Sequence, residues 1–161
     1  MAGRSEARRF VLQMLYLVDQ NPDADLARIQ RHLQTEFTDL QVRAFAWELF
    51  NGVQDTRRSL DEFIRRTATN WRIERMAPTD RNVLRMGLYE MRYAGTPPAV
   101  VINECVDIAR EFGTENSSAF VNGILDKLIP VATATVPADE EAVSEVPAAE
   151  VLAAEVPAAE L

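Results

Sequence analysis

The sequence contains very few of the residues on which catalytic and metal sites usually depend. It has one cysteine, Cys105, and one histidine, His32. A single cysteine excludes an internal disulfide and is typical of a reducing compartment, so we expect a cytoplasmic protein. The two residues are far apart in the sequence and form no metal-ligand pattern, which predicts that no metal is bound.

Nucleophiles with a base in reach are also scarce. His32 follows Arg31 on a polar helix face, which predicts a surface histidine. Cys105 lies on an apolar helix face, which predicts a buried, inert thiol. The sequence has no glycine-rich phosphate loop. We therefore expect a protein that is not an enzyme and has no cofactor.

Long apolar runs are absent as well. The longest extends from Phe10 to Val18 and is interrupted by Gln13, which is too short to cross a bilayer. No extended signal-peptide pattern precedes it. The sequence therefore predicts no membrane association.

Basic residues are outnumbered, with 17 Lys and Arg against 25 Asp and Glu and a formal net charge of −8. The excess of acidic residues is confined to the end of the chain, because seven acidic residues and no basic residue follow Lys127. Residues 131–161 are rich in Ala, Glu, Val and Pro, which predicts a disordered acidic tail. Residues 1–130 are nearly neutral, so the net charge does not exclude a nucleic-acid partner for this domain.

Residues 1–130 have the apolar spacing of helices and no strand pattern, which predicts an all-α fold of about seven helices. The helix boundaries follow from caps and breakers: Asn21-Pro22, Asp25, Asp39, Pro78-Thr79-Asp80, Gly95, Thr96-Pro97-Pro98, Gly113, and Asn116 or Ser117. Gly123 falls inside the last predicted helix. We expect it to mark a close contact between helices.

Two polar clusters are candidate binding sites. Arg4, Arg8 and Arg9 lie at the start of the first helix, where the helix dipole disfavours cations and favours an anionic partner. Arg9, Gln13 and Tyr16 share one helix face, and this set can contact phosphate, a base edge and a base face in single-stranded RNA. The second cluster, Glu115 to Ser118, lies at the start of the last helix and is interpreted either as a cap or as an anion site.

Four segments carry a resemblance to a known family: ARRFVLQMLY, TDRNVLRMGLYEM, PPAVVINECVDIAREFG and ENSSAFVNGILDKL. Over about residues 4–130 the chain resembles the NusB family of transcription antitermination factors. The resemblance implies two packed helical bundles and a non-enzymatic role. It also implies binding of boxA-type RNA in nascent rRNA leader transcripts together with NusE, a small-subunit ribosomal protein, in the elongation complex with other Nus factors.

The resemblance also implies an RNA-binding surface. By position it comprises Arg4, Arg8, Arg9, Tyr16, Asp80, Arg81, Asn116, Ser117 and Phe120. Ser5 and Glu6 interrupt the basic N-terminus, and the acidic tail is not part of the family pattern. Three alternatives stay open: a protein-interaction module that does not bind RNA, the RNA-targeting domain of an rRNA methyltransferase, and a homodimer that buries the RNA surface.

Overall fold

Apolar residues that recur every three or four positions fold most of the chain into helices. The structure is a computed structural model, and it describes residues 2–134. This part of the chain contains six α-helices and one 3₁₀ helix, and no strand: α1 (Ala2–Gln20), α2 (Leu26–Glu36), α3 (Leu40–Thr67), the 3₁₀ helix (Ile73–Arg75), α4 (Pro78–Arg92), α5 (Pro98–Phe112) and α6 (Ser117–Ala132). The all-α prediction is confirmed, with six α-helices in place of about seven.

The predicted domain boundary at residue 130 falls two residues before the end of α6. The predicted acidic tail, apart from residues 131–134, lies outside the described residues. None of the described helices has the length and apolar character that a bilayer crossing requires.

Most predicted helix starts are confirmed. Asp25 and Asp39 each accept a hydrogen bond at 2.9 Å from the backbone N–H two residues later, in Ala27 and Gln41. These bonds satisfy N–H groups that have no partner inside a helix. Pro78 and Pro98 begin α4 and α5, as proline in the first helical turn predicts.

The start of α6 differs from the prediction. The Asn116 side chain makes no capping hydrogen bond with the described residues. The Ser117 hydroxyl instead accepts a hydrogen bond at 2.9 Å from the backbone N–H of Thr114. Ser117 therefore stabilises the turn before α6 rather than the first turn of the helix.

The described residues form two compact units, residues 2–52 and 53–134. In the first, Phe10 of α1 packs edge-on against His32 and Phe37. His32 is exposed, as predicted. Leu17 of α1 and Leu26 of α2 are exposed, although the apolar spacing of these two helices would place both side chains on buried faces.

In the second unit α4 is enclosed on every side, because residues 82–92 are all buried. Helices α4, α5 and α6 pack against one another. Cys105 of α5 is fully buried among them, as predicted. Arg85 of α4 is also buried, and its guanidinium donates to both carboxylate oxygens of Asp61 at 2.7 and 3.0 Å.

A close contact between helices lies at Gly87 and not at Gly123. A Cβ at Gly87 would lie 2.9 Å from the Cys105 sulfur and 3.1 Å from Leu125, so this glycine permits the close approach of α4 to α5 and α6. A Cβ at Gly123 would meet nothing within 4 Å. The prediction that Gly123 marks a close helix contact is therefore wrong, because this side of α6 faces open space.

We predict opposite effects of alanine at these two glycines. Gly123→Ala should raise the free energy of unfolding by about 1 kcal/mol, because alanine favours a helix and meets no neighbour. Gly87→Ala should lower it by about 1–3 kcal/mol, because the added methyl group overpacks the core. Urea unfolding followed by circular dichroism measures both changes. Equal effects of the two substitutions would contradict this assignment.

The buried ion pair yields a second prediction. Asp61→Ala should lower the free energy of unfolding by about 3–5 kcal/mol, because it leaves the Arg85 guanidinium buried without its carboxylate. Asp107→Ala is the matched control. Asp107 also pairs with an arginine, Arg110, but both side chains are more than half exposed, so its loss should cost less than about 1 kcal/mol. The same urea titration compares the two variants, and a similar cost for both would refute the prediction.

Candidate nucleic-acid interface

The N-terminal arginines of α1 are held against a single aromatic ring. The guanidinium carbons of Arg4 and Arg8 lie 4.7 and 5.2 Å from the ring centroid of Phe45 in α3. Such cation–π contacts are stronger when the cation is shielded from water. Phe45 thereby holds two of the three predicted arginines at one end of the first unit.

The two arginines differ in their access to a partner. Arg4 is exposed, whereas Arg8 is only 3% exposed. A buried guanidinium cannot meet an RNA phosphate without a rearrangement of its surroundings. In this structure Arg8 packs on the Phe45 ring beneath the surface, and Arg4 is the arginine of this pair that solvent reaches.

The predicted binding face of α1, formed by Arg9, Gln13 and Tyr16, is only partly exposed. Gln13 and Tyr16 are exposed, and Arg9 is half-buried. The Arg9 guanidinium donates to the Ser5 carbonyl one turn earlier, at 3.3 Å. The Gln13 amide and the Tyr16 phenol are therefore the most accessible groups on this face.

The second unit contains an open groove of about 630 Å³ beside α6, which we call the α6 groove. Its side chains include an aromatic pair, two cations, a carboxylate and an amide: Trp71, Phe120, Arg75, Lys127, Asp80 and Asn116. Asp80, Asn116 and Phe120 are far apart in the sequence, and all three belong to the predicted RNA-binding surface. The fold brings them to one groove.

The aromatic pair forms one side of this groove. The rings of Trp71 and Phe120 are 5.2 Å apart between centroids and inclined at 73°, an edge-to-face contact. Trp71 is 57% exposed, and Phe120 is half-buried. Solvent therefore reaches an extended aromatic surface at this point.

Asp80 and Arg81 lie in the first turn of α4 and have different surroundings. The Oδ1 atom of Asp80 is buried and has no hydrogen-bond partner among the described residues. Because such an oxygen is costly to leave unpaired, it favours a donor brought by a ligand. The Arg81 guanidinium instead donates to the carbonyls of Ile73 and Met76 at 3.3 and 3.5 Å, which joins the 3₁₀ helix to α4.

An ion pair joins the 3₁₀ helix to α3. Arg65 and Glu74 approach to 3.2 Å. Hydrogen bonds from its own backbone N–H and from Arg65 lower the pKa of the Glu74 carboxyl. Hydrogen bonds to the carboxylates of Glu74 and Glu62 raise the pKa of the Arg65 guanidinium. Glu74 is therefore negatively charged at neutral pH and engaged with Arg65.

Ser117 is buried, with its hydroxyl hydrogen-bonded to Thr114. Like Arg8 and Arg81, it is a predicted site residue whose polar group is occupied inside the protein. Arg4, Gln13, Tyr16 and Asn116 are exposed, and Arg9, Asp80 and Phe120 are half-buried. The RNA contacts themselves stay a prediction.

Sequence reasoning missed Trp71, Arg75, Lys127 and Phe45. The first two have a weak signal, since an aromatic residue inside the basic segment NWRIER is a combination typical of nucleic-acid contacts. Lys127 gives none, because a lysine near a helix end is ordinary. Phe45 belongs to the apolar pattern of α3, and only the structure shows the arginines above its ring.

Comparison with known proteins shows a single family over most of the chain. Residues 5–130 match the model of the NusB family. A transcription antitermination protein NusB from Sorangium cellulosum is 41% identical over 129 residues, which cover 80% of this chain and 92% of that relative. A protein of the same name from Anaeromyxobacter dehalogenans strain 2CP-1 is 41% identical over 138 residues, covering 84% and 94%.

Solved structures agree with the sequence comparison. NusB from T. maritima superposes with a TM-score of 0.74 at 32% identity, covering 85% of this chain and 95% of that one. A chain from the crystal structure of antitermination factors NusB and NusE in complex with dsRNA gives a TM-score of 0.73 at 22% identity, covering 81% and 98%. At that identity the second likeness shows the fold alone.

The contrast between Arg4 and Arg8 is testable through stability. Arg8→Ala should lower the free energy of unfolding by about 2 kcal/mol, because it removes a desolvated cation–π contact and the packing of the side chain. Arg4→Ala is the matched control above the same ring, and since Arg4 is exposed it should cost about 0.5–1 kcal/mol. Thermal and urea unfolding measure both variants. A loss from Arg4→Ala as large as that from Arg8→Ala would contradict the structural assignment.

Proposed function

The chain belongs to the NusB family, and from that membership we propose that it is a transcription antitermination factor that binds boxA-type RNA of nascent rRNA leader transcripts together with NusE. It acts by binding and not by catalysis. We also propose that the protein acts in the cytoplasm, within the transcription elongation complex and together with other Nus factors.

One observation carries the proposal. Three positions that match the family's RNA surface, Asp80, Asn116 and Phe120, line the α6 groove with two cations, Arg75 and Lys127. Aromatic rings stack on bases, carboxylates and amides pair with base edges, and cations neutralise phosphates. The groove contains every class of group that recognition of single-stranded RNA requires.

The first unit supports the proposal with a second set of groups. Arg4, Gln13 and Tyr16 are exposed on α1 and offer a phosphate contact, a base-edge contact and a stacking surface. A few cations on each unit cannot supply tight binding alone, since each neutralised phosphate contributes only a modest, salt-dependent term. We infer that NusE adds the contacts that raise affinity and define the site.

The test is fluorescence anisotropy with a labelled boxA-type RNA at several salt concentrations, with and without NusE. We expect weak binding alone and much tighter, salt-sensitive binding with NusE. Arg4→Ala should weaken the complex and reduce the slope of log affinity against log salt by about 0.7, the value for one phosphate contact on a single strand.

Arg31→Ala is the control, because Arg31 is an exposed arginine of the same unit that lies on α2 and outside the predicted surface. It should leave both affinity and slope unchanged. Absence of salt-sensitive binding with NusE present would refute the proposed function. If NusE binds but the RNA does not, the chain is a protein-interaction module instead.

A further inference from the structure

Trp71 is the largest exposed apolar side chain among residues 3–134. Burial of a large apolar side chain stabilises a protein, and here the fold leaves more than half of the indole in solvent. A single exposed apolar residue is ordinary on a protein surface. Trp71 differs from such a residue because it lines a groove and contacts a second aromatic ring.

The geometry of that ring contact leaves Trp71 able to stack. An edge-to-face pair uses the edge of one ring and one face of the other, so at least one face of the indole has no contact with Phe120. The groove volume of about 630 Å³ lies within the range of about 300–1,000 Å³ that small-molecule sites occupy. A planar base can therefore enter beside the indole.

The charge around Trp71 favours an anionic ligand. Arg75 and Lys127 line the groove, and within the part of the chain that the structure describes neither side chain forms an ion pair. Asp80 is the one carboxylate among the described residues that line the groove, so the two cations outnumber it. Glu74, the carboxylate nearest to Trp71 in the sequence, is paired with Arg65. The cations on the groove are thus available to phosphates.

We propose that Trp71 is a stacking platform for one nucleobase of single-stranded RNA, with Arg75 and Lys127 holding the phosphates that flank this base. The proposal rests on the proposed function and adds to it a position outside the surface that the resemblance implies. The occupant is a nucleotide rather than a peptide, because an accessible indole face and two free cations match a base joined to phosphates.

The test measures binding of labelled boxA-type RNA by the full chain with NusE. Trp71→Ala should raise Kd by about 5- to 150-fold, the effect of losing one stacked base, and leave the salt slope unchanged. Trp71→Phe should retain most of the affinity. Replacing Arg75 and Lys127 together with alanine should instead reduce the salt slope by about 1.4.

Two further measurements separate stacking from a loss of structure. RNA should quench the tryptophan fluorescence of the wild-type chain but not of Trp71→Phe, because the remaining tryptophan, Trp47, is buried against Phe50. Gly123→Leu places a side chain into the open space of the groove. It should block RNA while the unfolding temperature stays at or above that of the wild type.

Val100→Ala is the matched control, since Val100 is also exposed in the second unit and does not line the groove. It should bind RNA as the wild type does.

If wild-type protein binds RNA and Trp71→Ala binds equally well, the stacking proposal is wrong and the proposed function stands. If the wild type does not bind, both fail. If Trp71→Ala loses binding to NusE in the absence of RNA, the groove is a protein-binding surface and the proposal is overturned.

Discussion

The second unit depends on a helix that has no exposed side. Every residue of α4 from 82 to 92 is buried, although this segment contains arginine, glutamate and asparagine. A buried charge is tolerated only when it is paired. Arg85 meets Asp61 of α3, and Glu90 accepts a hydrogen bond from Thr96 before α5. The packing of this unit is therefore specified by polar partners as well as by apolar contact.

The same requirement shapes the α6 groove. At its N-terminal end α4 leaves the enclosed core, and Arg81 donates to two carbonyls of the preceding segment. This segment includes the 3₁₀ helix, which Glu74 joins to α3 through Arg65. These contacts join the segment that contains Trp71 and Arg75 to the helices on either side of it in the sequence, α3 and α4.

The acidity of the chain has a limited bearing on RNA recognition. The net charge of −8 arises mainly from residues beyond Lys127, whereas the cations Arg4, Arg75 and Lys127 lie on exposed positions of the helical units. Phosphate contacts depend on charges within about 8 Å at physiological salt, because ions in solution screen the rest. Local arrangement therefore decides whether this protein binds RNA, and total charge does not.

Helix boundaries were predictable from the sequence because they depend on neighbouring residues alone. The Asp25 and Asp39 caps and the proline starts of α4 and α5 lie where local rules place them. Exposure was not predictable in the same way. Arg8 is covered and Trp71 is left in solvent, contrary to their chemical types, and Gly123 faces open space while Gly87 does not. The sequence by itself determined the helices, their order and the family. Only the tertiary structure decided which polar and aromatic groups a ligand can reach, because the burial of a side chain depends on which distant segment packs against it.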